Sequence, residues 1–288
     1  GPLVIARGDG VYVYDDEGRR YLEGMAGLWC ASLGFSERRL AEAAYRQMCE
    51  LPFYHSFTGK VPAISTELAE RLVGMAPAGM AKALFANSGS EANDTAVKLA
   101  WYMNNALGRP GKKKIISRQR AYHGVTIASG SLTGLAFAHN DFDLPIARFL
   151  HTDCPDYYRG AQPGENEEAF AARLAANLEQ LILREGPDTV AAFFAEPVMG
   201  AGGVIVPPAT YFDRIQPILR KYDILFVVDE VICGFGRTGN MFGSQTFNLQ
   251  PDIITVAKAL SAGYIPISAN LLSGKVCDIL LAQSDKLG

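Results

Sequence analysis

Hydrophobic positions change their period along the chain, and the changes divide it into parts. Apolar and polar residues alternate from Val11 to Tyr14. The acidic turn Asp15-Asp16-Glu17-Gly18 follows, and Arg20 to Leu22 resumes the alternation. Period two on either side of such a turn predicts a β-hairpin. A helical period then takes over: Leu40, Ala44 and Met48 recur at four-residue steps behind Ser36, which is placed to cap the helix. A second helix is expected over 64–75, with Leu68 and Leu72 on one face.

Beyond this point short apolar runs alternate with helical stretches. Strands are expected at 83–85, 115–117, 148–151, 190–195, 224–228, 253–256 and 267–272. Several of them are apolar at every position, as in strands covered on both faces. Helical periods fill 91–107, 167–184 and 211–221. This alternation predicts an α/β domain around a seven-stranded, mostly parallel sheet with helices on both faces. The last strand follows the sixth too closely for a helical crossover, so one antiparallel strand is expected at one end of the sheet. The polar stretch 161–168 is read as a surface loop, and no internal repeat is visible.

Composition narrows the classes of function. The chain has 288 residues, 49% hydrophobic and 20% charged, with a net charge of −3. That balance argues against a nucleic-acid or acidic-membrane partner. The basic run Lys112-Lys113-Lys114 follows Gly108, Pro110 and Gly111, and reads as a solvated loop leading into a strand. Five cysteines lack C-x-x-C spacing and four histidines lack H-E-x-x-H spacing, so neither a disulfide framework nor a metal site is expected. A reducing, cytoplasmic setting fits the cysteines. No apolar stretch is long enough for a transmembrane helix, and the start shows no signal peptide.

In open sheets of this kind ligands sit at the carboxyl ends of the strands. The first strand runs into Asn87-Ser88-Gly89-Ser90-Glu91, which opens a long helix. Small residues at a helix N-terminus expose free N–H groups and suit a phosphate, although Ser88 or Ser90 could equally be a plain N-cap. The second strand is followed by Tyr122-His123-Gly124. The fifth ends in Asp229, whose carboxylate could be a metal ligand, a base or the partner of a cationic ring nitrogen. The sixth ends in Lys258. A lysine after an apolar strand is costly unless its charge is paired, lost or carried to solvent. Taken together, a phosphate cradle, a carboxylate, a lysine and an aromatic on one sheet edge meet the needs of pyridoxal 5'-phosphate (PLP). Its phosphate needs a helix N-terminus, its ring a flat partner, its nitrogen a carboxylate and its aldehyde a lysine.

Gly234-Phe235-Gly236-Arg237-Thr238-Gly239 matches the G-x-G-x-x-G dinucleotide pattern and follows a strand. No amphipathic helix follows it over 240–248, and no acidic residue ends a strand about 20 positions on, as that fingerprint requires. A glycine-rich connecting loop explains these residues better than a nicotinamide site.

The segments 227–239 and 251–260, with 87–93 and 122–124, resemble the class III (omega) aminotransferase signature. Met25-Ala26-Gly27-Leu28-Trp29-Cys30 looks like that family's amine or omega-amino acid:pyruvate branch. The resemblance covers essentially the whole chain. It implies a fold-type I PLP-dependent transferase large domain over 58–288, preceded over 1–57 by an N-terminal part of a small domain. It also implies that the family's C-terminal small domain is absent. On this resemblance Lys258 holds PLP as a Schiff base and carries the catalytic proton, and Asp229 pairs with the pyridinium nitrogen. Tyr122 and Val231 cover the two ring faces. Ser88, Gly89, Ser90, His123 and Gly124 belong to the cofactor segments, and Glu196 supports the site. Trp29, Phe57 and Tyr122 line the substrate pocket. The implied activity moves an amino group from an amine donor or omega-amino acid to pyruvate or a similar keto acid, in a homodimer. The alternative is a truncated, non-catalytic cofactor-binding fragment of such an enzyme.

Overall fold

The computed structural model describes residues 1–287, with side chains to Gln283. The N-terminal sheet is an antiparallel meander of β1 (Ile5–Asp9), β2 (Tyr12–Asp15) and β3 (Arg20–Leu22). Strands β2 and β3 are the expected hairpin. The added strand β1 is almost wholly exposed, so no burial pattern marks it in the sequence. Next come α1 (Ala26–Trp29), a turn with left-handed backbone, then α2 (Arg38–Glu50) and α3 (Ala63–Met75). Glu37, not Ser36, caps α2, and its side chain accepts from the Arg39 amide at 3.0 Å. Ser36 lies at φ 63° and donates its hydroxyl to the Gly8 carbonyl at 2.6 Å. The chain must bend there to keep Phe35 paired with Gly10.

The remaining elements, in chain order, are β4 (Met80–Ala86), α4 (Gly89–Ala106), β5 (Lys114–Arg118), α5 (Ile127–Leu132), β6 (Phe149–Thr152), α6 (Tyr157–Gly160), α7 (Glu167–Glu185), β7 (Val190–Ala195), α8 (Tyr211–Lys221), β8 (Leu225–Asp229), α9 (Gly243–Thr246), β9 (Ile253–Val256), β10 (Ser268–Ser273) and α10 (Gly274–Leu287). The last seven strands form one sheet in the order β4-β10-β9-β8-β7-β5-β6. Strand β10 alone is reversed, antiparallel to both β9 and β4. It does not lie at the end of the sheet as expected. It is second from the edge, and β4 occupies the edge. A short return loop can only place β10 beside β9; β4 then covers its open side, which sequence spacing does not reveal.

Alternation along each strand sends neighbouring side chains to opposite faces. Ile116, Phe193 and Phe226 pack under α7 and α8, whereas Ile115, Phe194 and Val227 pack under α4 and α10. A third cluster covers the β4 side of the sheet, joining Leu72 of α3 to Ile254 and Leu271. Every residue of β7, β8 and β9 is buried, which explains their continuous apolar runs. All but β10 of these seven strands run in one direction, so their carboxyl ends meet at one sheet edge.

Phe193 is fully buried, with its ring 6.1 Å from that of Phe226. Phe193→Ala is expected to destabilise the fold by about 3–5 kcal/mol through lost burial and a residual cavity. A urea denaturation midpoint measured beside the parent chain tests this.

Candidate active site

A cavity of about 230 Å³ opens where β4, β5, β7, β8 and β9 end. Strand β4 delivers Ser88, Gly89 and Ser90, and β5 delivers Tyr122, His123 and Gly124. Glu196 follows β7, Asp229 ends β8 with Val231 just beyond it, and Lys258 follows β9. The fold therefore brings ten of the twelve expected residues to one wall. Trp29 and Phe57 are not among the lining residues. Phe57 is 76% exposed, and Trp29 is half-buried on the left-handed turn α1. That turn packs beside the loop after Lys258, where a second cavity joins Cys30 and Ala31 to Gly263 and Tyr264.

Asp229 is 3% exposed, and donors on three sides hold its carboxylate. One oxygen accepts from Asn93 Nδ2 and His123 Nδ1, each at 2.8 Å, and the other from the Val231 amide at 3.0 Å. Asn93 is saturated in turn. Its second N–H goes to the His123 carbonyl at 2.7 Å, and its oxygen accepts from Thr255 at 3.0 Å. Buried polar groups are tolerable only in such a closed account. Sequence reading gave Asn93 and Thr255 no role. The available signal was an asparagine five residues past a helix cap, where helix propensity disfavours it.

The start of α4 forms an anion-ready end. Ser88 caps it by accepting from the Glu91 amide at 3.2 Å, and the amides of Gly89 and Ser90 have no partner within the helix. A Cβ at Gly89 would come within 3.2 Å of Val231 Cγ2, so glycine lets the helix and the Val231 loop meet. A Cβ at Gly124 would fall 2.4 Å from Ser90 Oγ, and its φ of 136° is itself a glycine conformation. The Ser90 hydroxyl accepts from the Val125 amide at 3.0 Å, tying the β5 loop to the helix start.

Two further carboxylates near Asp229 are buried. Glu196 accepts from the Tyr122 amide at 3.1 Å and the Gly200 amide at 3.0 Å, and its carbonyl takes Arg118 Nη2 at 2.6 Å. Burial pushes the Glu196 carboxyl above the usual range, with Asp229 adding to the rise and His123 and Arg118 opposing it. Glu230 accepts from the Gly243 amide at 2.9 Å and from the Ser244 hydroxyl at 2.6 Å. It anchors the glycine-rich loop to α9 and is not among the residues that line the cavity. That loop closes by turns at Gly236 and Gly239, with φ 93° and 95°, and leads only to the four-residue α9. It therefore lacks the long helix of a dinucleotide fingerprint. Lys258, at φ 49°, makes no side-chain hydrogen bond or ion pair among the described residues.

Comparison with known proteins places this geometry. A gamma-aminobutyrate transaminase 3, chloroplastic, of Solanum lycopersicum is 61% identical over 288 residues, covering 100% of this chain and 55% of that protein. A vanillin aminotransferase of Capsicum chinense is 60% identical and covered over 63% of its length. The chain thus spans a little over half the length of the curated relatives it matches. Among solved structures, the omega transaminase from Pseudomonas jessenii in complex with PMP superposes with TM-score 0.99 at 61% identity, over 100% of this chain and 64% of that one. A transaminase with L-ala gives TM-score 0.94 at 63% identity, over 98% of this chain and 64% of that one. No helix among the described residues is long and apolar enough to cross a membrane. The family model described as aminotransferase class-III matches residues 1–286 on this same seven-stranded fold, and the chain belongs to the class III aminotransferase family.

Proposed function

We propose that the chain carries the lysine-bearing half of a transaminase that moves an amino group from an amine or omega-amino acid to pyruvate or a similar keto acid. The observation that carries this reading is the shared cavity. Lys258, with no side-chain partner among the described residues, and Asp229, held by three donors, face it from adjacent strand ends, with a helix N-terminus alongside. Class III aminotransferases are PLP-dependent, and the residues present fit that group. The Gly89 and Ser90 amides suit its phosphate. Asp229 suits a protonated ring nitrogen, and the buried His123 Nε2 has no hydrogen-bond partner among the described residues. Tyr122 and Val231 would flank the ring, Ser88, His123 and Gly124 shape its seat, and Glu196 supports the β5 loop from below. Bound PLP supplies an electron-withdrawing ring that stabilises negative charge on the substrate carbon.

The chain's own residues then have separable tasks. With PLP bound, Lys258 Nζ would be the base that takes up the proton leaving the amine-bearing carbon of the substrate. Asn93 and His123 keep Asp229 oriented and shielded from water. Trp29 and Phe57 belong to the substrate side, Trp29 from the α1 turn beside the Gly263 loop. The tomato relative's name carries an omega-amino acid, and the L-alanine of the solved transaminase supports pyruvate as acceptor. The domain reading, 1–57 as part of a small domain and 58–288 as the large PLP-binding domain, rests on the separate N-terminal meander. A homodimer is supported by exposed apolar residues on and after α2, including Tyr45 at 70% and Phe53 at 78%. Five free cysteines support a reducing compartment, and we place the protein in the cytoplasm.

Borohydride reduction of the PLP-loaded chain, followed by peptide mass mapping, is expected to leave a phosphopyridoxyl group on Lys258 alone; label elsewhere, or none, sinks the reading. Lys258→Ala should lower turnover by about 10²–10⁴-fold or more, read as single-turnover amine consumption. Glu196 supplies a pH test. Its folded-state value is raised, so its favourable contribution is present below the usual carboxylate range and is lost as pH rises through the folded value. Glu196→Gln should remove that share of the decline, seen as a flatter denaturation midpoint between acid and neutral pH.

A further inference from the structure

The turn α1 has an unusual backbone. Ala26, Gly27, Leu28 and Trp29 take φ of 48°, 58°, 72° and 62° in succession. Three of these are not glycine, and such runs persist only where their surroundings impose them. What imposes this one is visible on both flanks. Upstream, the turn follows the meander, whose Gly10 exchanges two backbone hydrogen bonds with Phe35, at 3.0 and 2.7 Å. Downstream, the Tyr264 hydroxyl accepts from the Glu37 amide at 2.5 Å and donates to the Gly34 carbonyl at 3.3 Å. Tyr264 lies six residues beyond Lys258. Its neighbour Gly263 lines both the Lys258 cavity and the second cavity beneath α1. A Cβ at Gly263 would come within 3.2 Å of Cys30 Sγ, so the two segments are in close contact beside Trp29.

We infer that Tyr264 is a positioning residue that clasps the N-terminal segment to the lysine loop and so sets where Trp29 stands beside the Gly263 loop that edges the Lys258 cavity. The inference rests on the proposed use of Trp29 as a wall of the substrate pocket. The clasp couples two regions of the chain about 230 residues apart through a single hydroxyl. Both of its bonds depend on that one oxygen, whereas the ring fills space whether or not the oxygen is present. Removing the oxygen therefore separates positioning from packing.

The chain has two tryptophans, Trp29 and Trp101, so Trp101→Phe leaves Trp29 as the only indole emitter. In that background Tyr264→Phe is expected to raise the acrylamide quenching constant of Trp29 by about two-fold or more as local protection is lost. Energy transfer from Trp29 to bound PLP should fall, with PLP occupancy unchanged. The KM for a bulky aryl amine should rise on the order of ten-fold with kcat little altered, the signature of lost ground-state positioning. The quenching readout needs no cofactor, so it tests the clasp even if PLP fails to bind, and failed binding would count against the proposed function alone. Unchanged Trp29 quenching in Tyr264→Phe overturns the inference. If that variant does not fold, amide exchange in the unaltered chain decides: a protected Glu37 amide supports the clasp, and one exchanging at the free-peptide rate overturns it.

Discussion

A carboxylate buried at the end of a parallel strand sets the terms for everything around it. Asp229 can stay where it is only because Asn93, His123 and the Val231 amide all donate to it. Each donor comes from a different part of the chain: the first turns of α4, the loop after β5, and the loop after β8. An unpaired charge in that position would cost several kcal/mol, so the three segments cannot drift apart without a large penalty. The carboxylate therefore acts as a fixed point from which the helix start, the Tyr122 loop and the Val231 loop take their mutual distances.

Glycine makes the convergence sterically possible. Gly89 admits Val231, Gly124 admits Ser90 and Ser129, and Gly200 leaves room for Ile232, whose Cδ1 would otherwise sit 2.4 Å from a Cβ. These glycines let neighbouring side chains close onto bare backbone beside one cavity. Glu230 applies the same logic to the outer loop. Burial raises its carboxyl, and the Ser244 and Gly243 donors answer it, so the glycine-rich segment is fastened to α9 rather than opened toward a nucleotide.

The sequence by itself determined the element order, because strands buried on both faces must be apolar throughout and surface helices must be amphipathic. It determined that Lys258, Asp229, Glu196 and the Ser88–Ser90 cap end or follow strands, and parallel strands bring their ends to one edge. It did not reveal β1, whose residues are exposed and carry no burial pattern, nor the place of β10 inside the sheet, since spacing fixes direction but not lateral order. Asn93 and Thr255 were legible only as residues and not as partners, because hydrogen bonds between positions 162 apart have no local signature. Trp29 and Phe57 were legible as aromatics near the right motif, but whether they reach the cavity depends on how the N-terminal segment is held. Only the tertiary structure shows that neither lines it: local propensity specifies elements, and the distances between them are set by contacts among residues far apart in the chain.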